Sequence, residues 1–193
     1  MLRRLYDWTL SLAAHRHARW ALAGVSFAES SVFPIPPDVV LIPMVLSERA
    51  MAWIDAAICT VASVLGGFAG YAIGYFLFET VGAAILDFYG LTDAFAAFAA
   101  RYNEYGAWIV FTAGVTPIPF KLITIASGAT GLNLAVFAIA SIAARGIRFF
   151  AVAGLLYWLG PPIRAFVEER LALVFTVFVV LLIGGFVMLK YLV

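Results

Sequence analysis

Five ionisable side chains sit inside otherwise apolar stretches of this chain: Glu29, Asp38, Lys121, Arg145 and Arg148. Each costs about 2.5–3.5 kcal/mol at the centre of a membrane helix on insertion scales. Unpaired, the five sum to on the order of 10 kcal/mol, comparable with a whole domain's stability. They must pair with one another, face water, or both. Three bases against two acids leave one positive charge over. Surplus guanidinium suits phosphate, which arginine grips with a two-pronged fork. Carboxyl groups near hydrocarbon also take up protons readily, so Glu29 and Asp38 are candidates for proton coupling. On this reading Lys121, Arg145 and Arg148 hold a phosphate headgroup, and the two acids balance them between cycles.

Two proline clusters must position these charges. One reads Pro34-Ile35-Pro36-Pro37-Asp38, the other Pro117-Ile118-Pro119-Phe120-Lys121. They lie 83 positions apart, and one ends in an acid where the other ends in a base. Proline removes a backbone donor and interrupts a helix. Two interruptions in matching places point to an inverted repeat whose site lies where the broken segments meet. Such breaks persist at membrane depth only where protein or water satisfies the freed backbone groups. Arg145 and Arg148 are three apart and share a helix face.

Composition sets the class. Of the 193 residues, 65% are hydrophobic and 12% charged, against about 45–50% and about 25% in soluble domains. An all-α integral membrane protein follows. Residues 1–19 read as an amphipathic surface helix rather than a signal peptide, because Asp7 interrupts the apolar run. Residues 20–46 read as a re-entrant hairpin, since neither half around the first break reaches the roughly 20 residues a span needs. Residues 52–78 read as a span, with Gly66, Gly70 and Gly74 forming a stripe that admits close approach of another backbone. Residues 79–106 read as interfacial, with Gly90 as a helix stop and Thr92 as the next cap. Residues 107–131 repeat the hairpin pattern and 134–158 form a second span, ended by Gly160-Pro161-Pro162. A last span covers about 171–189 within the C-terminal segment 171–193. The whole is an inverted repeat with two opposed re-entrant hairpins, about three full spans and amphipathic interfacial helices.

Flanking charge orients it. Cytoplasmic flanks carry the excess of Lys and Arg, and an inside N-terminus places Arg3, Arg4, Arg16, Arg19, Arg49, Arg164 and Arg170 there. The hairpins then enter from opposite sides, so their proline tips can meet near the midplane. Trp20, Trp53, Trp108 and Trp158 near segment ends read as interface anchors. A homodimer fits a chain with so few spans to enclose a path.

Other chemistry finds no footing. His15 and His17 are two apart, on different sides of a helix, without clustered partners for a metal. No zinc-protease, serine-hydrolase or phosphate-loop motif occurs, and Ser30, Ser31 and Ser127 have no histidine nearby in sequence. The expectation is no enzyme, no cofactor and no nucleic-acid partner. The lone Cys59 lies in an apolar run and reads as a buried small hydrophobe.

Four motifs together resemble the DedA family, also called the VTT or SNARE-associated-protein domain, in its YqaA-like bacterial branch. They are Phe27-Ala-Glu29-Ser-Ser-Val-Phe-Pro34-Ile-Pro-Pro-Asp38, Ser63-Val-Leu-Gly66-Gly67-Phe-Ala-Gly70-Tyr71, Thr116-Pro-Ile-Pro-Phe-Lys121 and Arg145-Gly-Ile-Arg148-Phe-Phe. The resemblance spans roughly residues 20–165. It implies opposed re-entrant hairpins in the bacterial inner membrane and movement of a phospholipid or polyprenyl phosphate between leaflets, with proton-dependent export of small solutes or cations as the alternative. The family's acids map to Glu29 and Asp38. Lys121 stands where many members carry Arg, and the family's preceding Arg is Val115 here, so Arg145 or Arg148 is expected to supply that charge.

Overall fold

A computed structural model describes residues 17–32, 36–116 and 118–169, the last nine by backbone alone. The expected N-terminal surface helix up to residue 16, Pro34, Pro117 and the C-terminal span lie outside the described residues. Every regular element among those described is helical. Helices α1 (Ala18–Ser31) and α2 (Asp38–Ser47) flank the first proline cluster. A short 3-10 turn, Arg49–Met51, leads into α3 (Ala52–Leu77). A π-turn at Phe78–Gly82 passes into α4 (Ala83–Phe88). Helices α5 (Thr92–Val115) and α6 (Phe120–Ala129) flank the second cluster, and α7 (Leu134–Glu169) closes the order.

The proline clusters act through backbone geometry. Pro37 sits at the N-cap of α2 with φ −63°, and Pro119 at the N-cap of α6 with φ −58°. Both values suit a residue entering a helix, and the missing N–H is lost where no helical partner exists. Asp38 is the first residue of α2, where a carboxylate favours the helix dipole. Thr116 precedes Pro117, and a residue before proline is driven out of the helical region. Its ψ of 165° ends α5 and turns its carbonyl out of the helix ladder.

Helices α3 and α7 pack on each other at the centre, and the broken pairs wrap them in a crossed pattern. The first arm of each pair packs on its own half's long helix: α1 on α3, α5 on α7. The second arm packs on the other half's long helix: α2 on α7, α6 on α3. Glycines permit the closest approaches. A Cβ on Gly66 would collide with the Phe27 carbonyl of α1, and one on Gly74 with the Ile125 carbonyl of α6. Gly70 faces Ser30 and Thr124 from both. The stripe is thus occupied within the chain.

Two apolar clusters result. One joins Leu22, Leu41, Val45, Ala56 and Phe149, and the other joins Val110, Phe120, Ile123 and Phe137.

Several boundaries differ from the sequence expectation. Residues 79–88 continue the helix from Arg49 to Phe88 as a run of 40 residues, the π-turn absorbing the change of pitch. Helix α5 crosses residues 106 and 107 without interruption. Gly90 does stop a helix, with φ +66°, a conformation glycine alone adopts without strain. Thr92 makes no capping bond, and Leu91 occupies the N-cap. Gly160-Pro161-Pro162 does not end α7, which runs on to Glu169. Proline's fixed φ is a helical value, so the pair removes ladder bonds without forcing the axis to stop. Arg49–Phe88 and Leu134–Gly160 are long and apolar enough to cross a membrane.

Candidate functional site

Glu29 and Arg145 form one ion pair, from α1 and α7. The Arg145 side chain is 0% exposed. Its Nη2 donates to Glu29 Oε2 and, at 3.4 Å, to Ser30 Oγ, while its Nε donates to Ser63 Oγ at 2.5 Å. The Phe120 and Phe149 rings each lie 4.8 Å from the guanidinium carbon. One ring comes from each apolar cluster, so Arg145 stands where the two cores meet. Cation–π contact offsets part of the desolvation that burying a guanidinium costs.

The hydroxyls have a forced direction. A guanidinium cannot accept a hydrogen bond, and an ionised carboxylate cannot donate one. Ser63 therefore accepts from Arg145 and donates to Ser30 Oγ at 2.7 Å, and Ser30 donates to Glu29 at 3.1 Å. Ser31 and Thr60 turn back onto the carbonyls of Phe27 and Ala56, and Ser26 onto Leu22 while also reaching Cys59 Sγ at 3.4 Å. Ser30 and Ser63 instead reach across between helices. The Ser30 carbonyl also accepts from Thr124 Oγ1 of α6 at 3.0 Å.

Asp38 and Arg148 form the second pair, at the breaks themselves. Arg148 Nη2 donates to Asp38 Oδ2 at 2.5 Å, and Nη1 donates to the Thr116 carbonyl at 3.0 Å. Both side chains are 15% exposed. One guanidinium thus ties the residue that opens α2 to the residue that ends α5. Asp38 Oδ1 and Arg145 Nη1 are buried without a hydrogen-bond partner among the described residues.

Lys121, on the first turn of α6, is half-buried, and its side chain makes no hydrogen bond or ion pair within the described residues, its backbone carbonyl accepting from Thr124 Oγ1 at 2.9 Å. The two pairs consume four of the five charges anticipated at depth, and the fifth is a base. Pro36, Pro37 and Pro119 sit at the breaks beside them.

No solved structure matches the chain. The VTT domain family matches residues 35–158, which takes in the first break from Ile35 on, the whole second break, the glycine stripe, Asp38, Lys121, Arg145 and Arg148. The chain belongs to the VTT-domain (DedA) family. That family is membrane-associated, with a transport-related role. Two curated relatives extend the likeness to nearly the whole length. One, an uncharacterized protein of Haemophilus influenzae, is 36% identical over 186 residues, covering 96% of each chain. The other, an uncharacterized protein of Histophilus somni, is 34% identical, covering 96% of this chain and 97% of its own.

Sequence reasoning on this VTT-domain chain found the charged residues but not their supports. Ser30, Ser63, Thr116, Phe120 and Phe149 carried no assigned role. A signal was present for Ser63, which falls on one helical stripe with Gly66, Gly67, Gly70 and Gly74. For the Thr116 carbonyl, the signal was the proline after it.

Proposed function

We propose that this VTT-domain chain moves a phosphate-bearing lipid, either a phospholipid or a polyprenyl phosphate, between the leaflets of a bacterial inner membrane. It acts as a transporter and not an enzyme: the lipid leaves as it entered. The carrying observation is the junction of the two breaks, where Asp38, Arg148 and the Thr116 carbonyl meet, with Lys121, on the first turn of the helix that follows the second break, as a base beyond those paired. A headgroup phosphate supplies the missing anion, and its acyl chains remain in lipid. The breaks are read as tips of re-entrant hairpins entering from opposite faces, with the N-terminus cytoplasmic. The crossed packing of the arms supports this, because each half lends its second arm to the other. A homodimer remains part of the proposal, a second copy helping to enclose the path.

The test is leaflet exchange of labelled phospholipids in proteoliposomes. Wild type should exchange, and monodisperse Asp38→Asn and Lys121→Ala should be slower by about ten- to a hundredfold, the worth of one charge-assisted hydrogen bond. Variants that match wild type overturn the residue assignment. No exchange by wild type moves the assay to a polyprenyl phosphate, and silence with both overturns lipid transport. A second reading, proton-coupled export of small solutes or cations, is favoured by Asp38 Oδ1, a buried carboxyl oxygen without a hydrogen-bond partner among the described residues. It predicts substrate-dependent proton movement in vesicles without lipid exchange.

A further inference from the structure

The three bases of the site are held in different ways, and the difference divides their labour. Arg145 is held by Ser63 at Nε and by Glu29 and Ser30 at Nη2, with two phenylalanine rings 4.8 Å from its guanidinium carbon; its Nη1 alone lacks a hydrogen-bond partner among the described residues. Withdrawing it strands Glu29 and opens both apolar clusters at once. Arg148 has no such seat. It is part-exposed, its nearest ring lies at 5.9 Å, and its partners are one carboxylate and one backbone carbonyl. Those partners belong to different breaks, Asp38 to the first and Thr116 to the second. Among the described residues, no other side chain hydrogen-bonds to both Asp38 and Thr116. A phosphate has the geometry to take a guanidinium's two Nη donors together. Taking them from Arg148 releases Asp38 and the Thr116 carbonyl in one event.

We infer that Arg148 latches the two breaks together and that a lipid phosphate opens the latch by replacing Asp38 and the Thr116 carbonyl, with Lys121 as second ligand and Arg145 as an immobile post. The role of the phosphate rests on the lipid-transport reading; the latch itself does not. Asp38 then serves to hold Arg148 in place until a stronger, two-pronged anion arrives. Lys121 favours that exchange because it enters the bound state without breaking a bond to the described residues. Lysine cannot replace Arg148, since a single ammonium is a point charge without the planar fork.

The experiment reads distance, not transport. Spin labels go on Cys at Val39 and Val115, both exposed and each one residue from a latch partner. A second pair, Val32 and Leu122, also exposed beside the breaks, covers the event that the first disturbs folding. Full-length protein is reconstituted in nanodiscs of phosphatidylglycerol and, separately, of a neutral glucosyl diacylglycerol. Pulsed electron resonance should give one short distance in the glycolipid and an added longer population in the phospholipid. Arg148→Gln and Arg148→Lys should show the longer population in both lipids. A wild-type distribution in the glycolipid for both variants overturns the latch. Identical wild-type distributions in the two lipids overturn the phosphate as its opener. Failure of leaflet exchange with the latch behaviour intact would sink the transport reading alone.

Discussion

At the scale of single residues, the Glu29–Arg145 pair poses a question of cost. A buried ion pair gains little over well-packed apolar residues, whereas stranding one partner costs about 3–5 kcal/mol. Glu29→Leu or Arg145→Met alone should therefore lower thermal stability sharply. The double variant should recover a large part of the loss, because no charge is then left alone. Fluorescence-detected size exclusion after a heat step would measure this. A double variant no better than the worse single would mean that Ser30 and Ser63, not the charges, hold the seam. Of this constellation, the charges were legible because each stands out against hydrocarbon-like sequence. The partner choice was not. Glu29 lies 116 positions from Arg145, and Asp38 lies 110 from Arg148. Nothing local prevents the opposite pairing.

At the scale of elements, close backbone approach decides which glycines matter. A Cβ on Gly128 of α6 would collide with the Tyr71 carbonyl of α3, where no flexible side chain can yield. Gly24 of α1 has nothing within 4 Å of such a Cβ. Gly128→Ala should thus destabilise by a few kcal/mol in the manner of an overpacked core. Gly24→Ala should be neutral or stabilising by up to about 1 kcal/mol, the helix preference of alanine over glycine. Thermal melts of the two variants in detergent separate these outcomes, and equal losses would contradict the described packing. The stripe at Gly66, Gly70 and Gly74 was visible as a spacing. Whether it faced a second copy or this chain's own arms was a matter of where α1 and α6 come to rest.

At the scale of the whole molecule, length constrains placement in the membrane. The 40-residue run from Arg49 to Phe88 measures roughly 60 Å at the α-helical rise, twice the roughly 30 Å of a hydrocarbon core. One end of it must lie outside that core unless it tilts steeply. The end at α4 carries Glu79 and Asp87, and its tip residue Phe88 is 83% exposed. Phe88→Cys should therefore react with a membrane-impermeant maleimide in vesicles of suitable orientation. Leu65→Cys, exposed at mid-helix, should resist it because lipid surrounds it. Equal labelling at both positions would contradict the membrane placement of α3.

What this sequence determined by itself is chiefly what is costly. Charges in hydrocarbon, prolines in apolar runs and regularly spaced glycines each carry a free-energy penalty that some tertiary contact must offset. They therefore mark the class, the two breaks and the five charged candidate residues without any fold in view. The reach of helices is less legible: prolines at 161 and 162 read as an end, yet α7 runs through them, because their φ is a helical one. The tertiary structure alone decided the pairing of acids with bases, the sideways turn of Ser30 and Ser63, and the capture of the Thr116 carbonyl by Arg148. Those contacts join residues far apart in the chain, and their energies depend on distance and burial that only the packed helices supply.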